Sequence, residues 1–374
     1  MPGASSSYAD LQALRDSLRA FLAKYSPESV VRRTMATEVG YAPKLWRKLA
    51  DELGLPGFAV PAEYGGSGFG ATELQVVMEE LGRALACVPF LSSAVLATNV
   101  LLASGDPAAC GDLLPALADG SRVATLAATG GSGAYDADDV WECTAQPVVD
   151  GHRLTGRRTF VPDVLAADVL VVTATDTDGP ALFAVDAAAD GVTRGALPTL
   201  DETRKQGWVE FAGADARPIG SAGSGADTLR RALAPSAVAL AAEHAGAARR
   251  ALELAVEYAK VREQFGRVIG SFQAIKQKCA DMLLSVEIAA STAAAAAEAI
   301  DSNSAEMEAL AHLALSVASD AFLFVATENV EVHGGIGFTW ESSAHLYYKR
   351  AVAGTVVLGS PTAHRAQLLT AMGR

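Results

Sequence analysis

The residue types that most readily bind metals or act as nucleophile and base are few in this chain: four cysteines and six histidines. Cys87, Cys110, Cys143 and Cys279 lie far apart, and no pair has the spacing of a metal knuckle. The chain is too large to need disulfide staples, so reduced core thiols in a cytoplasmic protein are expected. His244, His312, His333, His345 and His364 fall on different predicted segments and form no HxxxH pair. No metal site is expected. The glycine-rich run at 130–133, GGSG, is followed by no lysine and so lacks the chemistry of a phosphate loop. Glu243 and His244 lie within an apolar helical pattern, as do Glu287 and Glu298.

Positioning any such residues falls to a chain of 374 residues, long enough for two or three domains at ~150 residues each. Hydrophobic residues make up 50% and charged residues 20%, a globular balance that excludes a disordered chain. The net charge of −13 argues against a nucleic-acid or anionic-membrane surface, since neither attracts a net anion. A small anionic ligand needs only a local basic cluster. Aromatics are sparse at 6%, which leaves Ala, Leu and Val to fill the core. No run of ~18 apolar residues is uninterrupted, so no membrane span is expected. The opening MPGASSSYADLQALRD lacks a basic end followed by an apolar run, and no signal peptide is expected.

Three textures follow one another, and the expected boundaries are 1–122, 123–222 and 223–374. The first reads as helices. Leu11, Leu14, Leu18, Phe21 and Leu22 recur at helical spacing, and Trp46, Leu49 and Leu53 form a second stripe closed by Gly54. Thr72 with Gln75 predicts a capping box ahead of Leu74, Val77, Met78, Leu81 and Leu85. The middle region reads as β-hairpins: Asp150-Gly151 sits between two short strand patterns, and Val169–Thr175, Ala181–Asp186 and Trp208–Phe211 supply more. Strand–helix alternation is absent. From about 226 longer amphipathic helices return, with Pro235 marking a kink or a first turn near the start of the first. A glycine break at 334–337 precedes one last helix through the tail. The fold class expected is α+β, mainly α, ending in an antiparallel four-helix bundle.

Four segments carry a resemblance. LWRKLADELGLPGFAVPAEYGGSGFG, followed by MEELGRAL, is similar to the N-terminal domain of acyl-CoA dehydrogenases. YAKVREQFGRVIGSFQAIKQKCADM and VEVHGGIGFTWESSAHLYYKRA resemble two signatures of the same family. The tail HLYYKRAVAGTVVLGSPTAHR most resembles actinobacterial members, including subunits of heteromeric enzymes that shorten sterol side chains. The resemblance implies α,β-dehydrogenation of an acyl-CoA thioester, with a glutamate removing the α-proton and FAD taking the β-hydride. It further implies that Arg262 contacts the FAD pyrophosphate, Phe265 packs on the cofactor and Gln273 bonds near its adenine end. Gly334 and Gly335 would let backbone approach the other end of the dinucleotide.

The departures from the family pattern are concentrated. The usual glutamate, nine residues after the basic position held by Lys349, is replaced by Leu358. The alternative position for the base, 26 residues before Arg262, is Ser236. Glu243, two helical turns further and roughly 10 Å away by helix rise, is the one substitute candidate for catalysis. The flavin-contacting Trp-Ile-Thr/Ser becomes Phe160-Val161-Pro162, and proline offers neither hydroxyl nor N–H. The Thr-Glu-Pro…Gly-Ser-Asp loop becomes AATGGSGAYDADD. Glu331 stands where glutamine is usual, and a carboxylate there repels phosphate. In the family each FAD lies between two subunits, and the retained residues are those that reach toward the neighbour's cofactor.

The expected function is therefore an acyl-CoA dehydrogenase subunit without its own base, completing a partner's FAD site. The expected partners are acyl-CoA, a paralogous subunit in a heterotetramer and an electron-acceptor flavoprotein. Two other readings stand beside it: an autonomous dehydrogenase with a relocated base such as Glu243, and a non-enzymatic acyl-CoA-binding or scaffold paralogue. The acyl group is not legible. Small residues at Ala237–Ala248 suit a bulky acyl chain or close helix packing equally.

Overall fold

The computed structural model describes residues 6–135, 138–149 and 151–373. Asp150 of the Asp150-Gly151 turn, and two residues of the AATGGSGAYDADD loop, lie outside the described residues. Six helices come first: α1 (Tyr8–Tyr25), α2 (Glu28–Met35), α3 (Pro43–Leu53), α4 (Ala71–Arg83), α5 (Thr98–Ser104) and α6 (Pro107–Ala118). A π-helical stretch, Phe90–Ala97, leads into α5. Pro43 lies in the first turn of α3, where a missing N–H costs nothing, and Gly54 ends it in the left-handed conformation (φ 62°). The capping box predicted for α4 does not form. Asp301, 229 residues away from Thr72 in the chain, accepts the Ala71 N–H (2.6 Å), the Thr72 N–H (2.9 Å) and the Thr72 hydroxyl (2.6 Å). A carboxylate at a helix N-terminus outcompetes a hydroxyl for the same donors.

Seven strands follow: β1 (Ala124–Ala127), β2 (Thr144–Val148), β3 (Gly151–Pro162), β4 (Val169–Asp176), β5 (Gly179–Asp186), β6 (Val192–Ala196) and β7 (Gln206–Ile219). The β2–β3 and β4–β5 hairpins form where turn residues separate the strand patterns. Pairings β4–β2–β3–β7–β5 and β5–β4 close a ring, with β1 parallel on β4 and β6 on β7. Closure leaves few free strand edges. Leu154, Val161, Leu170, Val172, Phe183, Val209 and Phe211 fill its interior.

The remaining elements are α7 (Gly225–Val261), β8 (Glu263–Gln264), β9 (Arg267–Val268), α8 (Gln273–Asp301), α9 (Met307–His333), α10 (Ala344–Gly354) and α11 (Pro361–Ala371). Pro235 is ten residues inside α7, not in its first turn. The single tail helix expected from sequence is two: Leu358 (φ 62°) and Gly359 (φ 113°) break it, and Ser360 caps α11 through the Ala363 N–H. α8 and α9 each hold an 18-residue window apolar enough by length and composition to cross a membrane. Of those windows 33% and 56% is buried within the chain, so the α8 window keeps much of its apolar surface exposed.

Packing sorts the elements into two compact units that are not contiguous in sequence. One holds 1–31, 71–86 and 237–374; the other holds 32–70 and 87–236. In the first, Arg15–Glu79 (2.5 Å) and Arg19–Glu80 (2.6 Å) tie α1 to α4. α4 and α7 approach so closely that a Cβ on Gly82 would lie 2.2 Å from the Glu243 carbonyl oxygen, and one on Gly246 2.0 Å from that of Glu79. Part of the small-residue run in α7 is thus spent on helix packing. In the second unit, the Trp46 indole donates to the Gly120 carbonyl (3.1 Å), and Ser93 Oγ accepts the Ala124 N–H at the start of β1 (3.0 Å).

Candidate functional site

Arg262 follows the last turn of α7. Its N–H donates to the Tyr258 carbonyl and its own carbonyl accepts from Ile269, closing the β8–β9 hairpin. The hairpin turn is Phe265 (φ 53°) and Gly266 (φ 75°), two consecutive left-handed residues as in a type I′ turn. That position favours Asn or Gly; a Phe held there is strained, and such strain collects at functional sites. The Phe265 ring is 91% exposed, with one edge-on neighbour in Phe272, which also carries Arg267 over its face at 4.0 Å. The Arg262 side chain is exposed and has no hydrogen bond or ion pair among the described residues. Asp281, an acid within reach in sequence, instead accepts from Gln277 (2.9 Å).

Two contacts bring further residues to this end of the bundle. The Tyr258 ring stacks on His333 at 4.3 Å, which joins the end of α7 to the end of α9, just before Gly334. Lys278 binds Glu331 (2.9 Å) and Glu328, which joins the start of α8 to the same place. Arg262, Phe265, Gln273, Glu331, Gly334 and Gly335 are therefore gathered there, and all are exposed. A Cβ at Gly334 or Gly335 would meet nothing within 4 Å, so the turn is open to close approach from outside. An unpartnered guanidinium, an exposed aromatic ring and an open glycine turn fit a phosphate-bearing dinucleotide with an aromatic base. Lys278 is a residue of this end that sequence reasoning missed, because its partners Glu328 and Glu331 are distant in the chain. Hydrogen bonds to Glu328 and then Glu331 hold its ammonium above the ordinary lysine value.

The three candidate positions for a base are built differently. Leu358 is buried; its carbonyl accepts from His364 Nε2 (3.1 Å), and His364 Nδ1 meets His312 Nδ1 at 2.9 Å. A hydrocarbon side chain cannot take a proton. Ser236 is buried, donates to the Ala232 carbonyl (2.7 Å) and accepts from Asn99 (3.0 Å). Glu243 is not brought to the exposed end of the bundle. It forms a buried ion pair with Arg350 (2.5 Å), the two side chains only 6% and 4% exposed. Beside it His244 Nδ1 bonds Ser319 (3.2 Å), and Gly354 lets α10 close over the imidazole, where a Cβ would lie 2.7 Å from Nε2. Glu243 is a clamp between α7 and α10.

In the β unit, Phe160 (φ 54°) sits at a register shift between Arg158 and Val161. Val161 is buried, and the Pro162 carbonyl accepts the Thr125 hydroxyl (2.6 Å). In the GGSG loop the Ser132 N–H and hydroxyl both bind the Asp139 carboxylate (2.7 and 2.9 Å). Among the described residues no cluster of His, Cys, Asp and Glu could hold a metal, and all four cysteines are unbridged.

Comparison with known proteins decides the family. Residues 9–121 match the acyl-CoA dehydrogenase N-terminal domain, and residues 223–373 match the acyl-CoA dehydrogenase C-terminal domain. The chain belongs to the acyl-CoA dehydrogenase family. It is 34% identical over 351 residues to acyl-CoA dehydrogenase IpdE2 of Mycobacterium tuberculosis, covering 94% of this chain and 93% of the relative. Among solved structures it is similar to the ChsE4-ChsE5 complex from Mycobacterium tuberculosis, with a TM-score of 0.89, 30% identity and coverage of 99% and 98%. The Tcur3481-Tcur3483 steroid ACAD G363A variant gives a TM-score of 0.86 at 32% identity, covering 98% of each chain. Acyl-CoA dehydrogenases are FAD-dependent oxidoreductases, and the helical–β–helical order of this chain is their fold.

Proposed function

We propose that this acyl-CoA dehydrogenase chain is a subunit without its own base that completes the FAD site of a paralogous partner. The observation that carries the reading is the contrast between the exposed bundle end and the place of the base. Arg262, Phe265, Gln273, Gly334 and Gly335 are gathered and open to solvent, while Leu358 stands where a carboxylate is needed. Bound FAD supplies hydride acceptance from the acyl β-carbon. Arg262 gives a planar, permanently charged donor for the pyrophosphate. Phe265 covers the cofactor, Gln273 bonds near its adenine end, and the glycine turn admits close backbone approach. Removal of the α-proton falls to a carboxylate of the partner, because Leu358 and Ser236 cannot perform it and Glu243 is spent on Arg350.

The neighbours named for two different chains, ChsE4-ChsE5 and Tcur3481-Tcur3483, support assembly with a paralogous chain, which we read as a heterotetramer. The steroid assignment of the second supports a bulky, sterol-type acyl-CoA as substrate. A separate flavoprotein takes the electrons, in the cytoplasm. The relocated-base reading loses its support with the Glu243–Arg350 pair.

The test is Arg262→Ala in the assembly purified with its partner from the native host. Loss of a charge-assisted hydrogen bond should weaken FAD about ten- to a hundredfold, with the melting temperature of the apo-assembly almost unchanged. Arg262→Lys should recover part of the affinity. Unchanged flavin with a lowered melting temperature would contradict the role.

A further inference from the structure

Glu331 lies one helical turn before the open Gly334-Gly335 turn, and Glu328 lies one turn before Glu331. Both are within the last turns of α9, whose carbonyl end adds a partial negative charge of its own. Three sources of negative potential thus surround the surface that, on the reading above, receives a phosphate-bearing cofactor. Uncompensated, they would repel it. Lys278, in the second turn of α8, is a cation bound to both carboxylates, to Glu331 at 2.9 Å and to Glu328. Glu328 is mostly buried at 16% side-chain exposure, whereas Lys278 (36%) and Glu331 (57%) face solvent.

We propose that Lys278 is a positioning residue for this face: by neutralising Glu331 it keeps the glycine end of the bundle able to take the phosphate-bearing cofactor of a partner chain. The inference rests on the proposed completion of a partner's FAD site and names the device that makes an acidic residue tolerable there. The triad also fixes where Glu331 points. Its carboxylate is held by the same ammonium that binds Glu328, one turn back along α9 from the glycine turn's side. A neutral residue at 278 would release it.

The experiment is a double-mutant cycle on the co-purified assembly, with FAD itself as the probe and its dissociation constant read by flavin fluorescence. Lys278→Met should weaken FAD roughly two- to fivefold at moderate salt, the range of partly exposed ion pairs. The effect should grow as ionic strength falls and screening is lost. Glu331→Gln alone should change little, and Lys278→Met with Glu331→Gln should return affinity to the parent value. Lys278→Arg should preserve it. A lysine that merely staples α8 to α9 would behave otherwise: Lys278→Met would lower the melting temperature, leave FAD affinity unmoved at every salt concentration, and gain nothing from Glu331→Gln. That result overturns the proposal. Arg262→Ala, measured in parallel, separates the two levels. A response to Arg262→Ala without one to Lys278→Met removes only the role of Lys278; silence from both removes the flavin-completing reading itself.

Discussion

Glu243 shows how much a residue's meaning depends on its partner. In sequence it is an acid on an apolar helix, open to a catalytic or a structural role. In the fold it is paired with Arg350 in near-complete burial. Removing one member of such a pair leaves an uncompensated charge away from water, which costs about 3–5 kcal/mol, whereas replacing both by apolar residues of similar volume is often neutral. Arg350→Met should therefore lose about that much stability in urea denaturation, and Arg350→Met with Glu243→Leu should regain most of it. If Glu243 were instead a mobile base, Arg350→Met would cost little stability. Arg262 is the opposite case. The motif around it singles it out as a candidate, and the fold leaves its guanidinium exposed and without a hydrogen bond or ion pair among the described residues, while Asp281 accepts from Gln277. Lys278 was invisible because its partners lie 50 and 53 residues further along the chain.

At the scale of elements, periodicity found α1, α3, α4, the long C-terminal helices and the hairpins, because apolar spacing reports burial directly, but it gave no separate sign of α2, α5 or α6. It also missed ends and breaks settled by distant groups. The N-terminus of α4 is capped by Asp301 rather than by Thr72, and the tail is interrupted by a left-handed Leu358 that no propensity predicts. The junction of α7 and α9 is expected to make stability depend on pH. Burial against Tyr258 holds the His333 imidazole below its ordinary value of 6.5, while its hydrogen bond to the Asn329 carbonyl pulls the other way. The unfolded chain then binds the proton first as pH falls. The stabilisation is fully present above the unfolded value and is lost as pH drops through the lowered folded one. Melting curves between about pH 5 and 8 should show this acid-side loss in the parent and a flatter profile in His333→Phe, which keeps the ring stack. Parallel profiles would mean that His333 contributes nothing to the pH dependence of stability.

The whole molecule was legible in outline, because three textures in a fixed order, with motifs at family spacing, leave little freedom in topology. The grouping of elements was not legible. α1 and α4 group with the bundle, α3, α5 and α6 group with the β-strands, and sequence order carries no record of such a split. On the proposed reading, function at this scale turns on the separation of tasks between chains: the chain would offer a face for FAD at its bundle end, while Leu358 stands nine residues after Lys349 where a carboxylate is needed. A subunit of this kind should be incomplete alone. The most direct test is the flavin content of the purified single chain against that of the assembly isolated with its partner, each then mixed with acyl-CoA and a redox dye. The expected result is a nearly colourless, inactive chain and a yellow, active assembly. A single chain that retains FAD and reduces the dye with acyl-CoA would contradict the account.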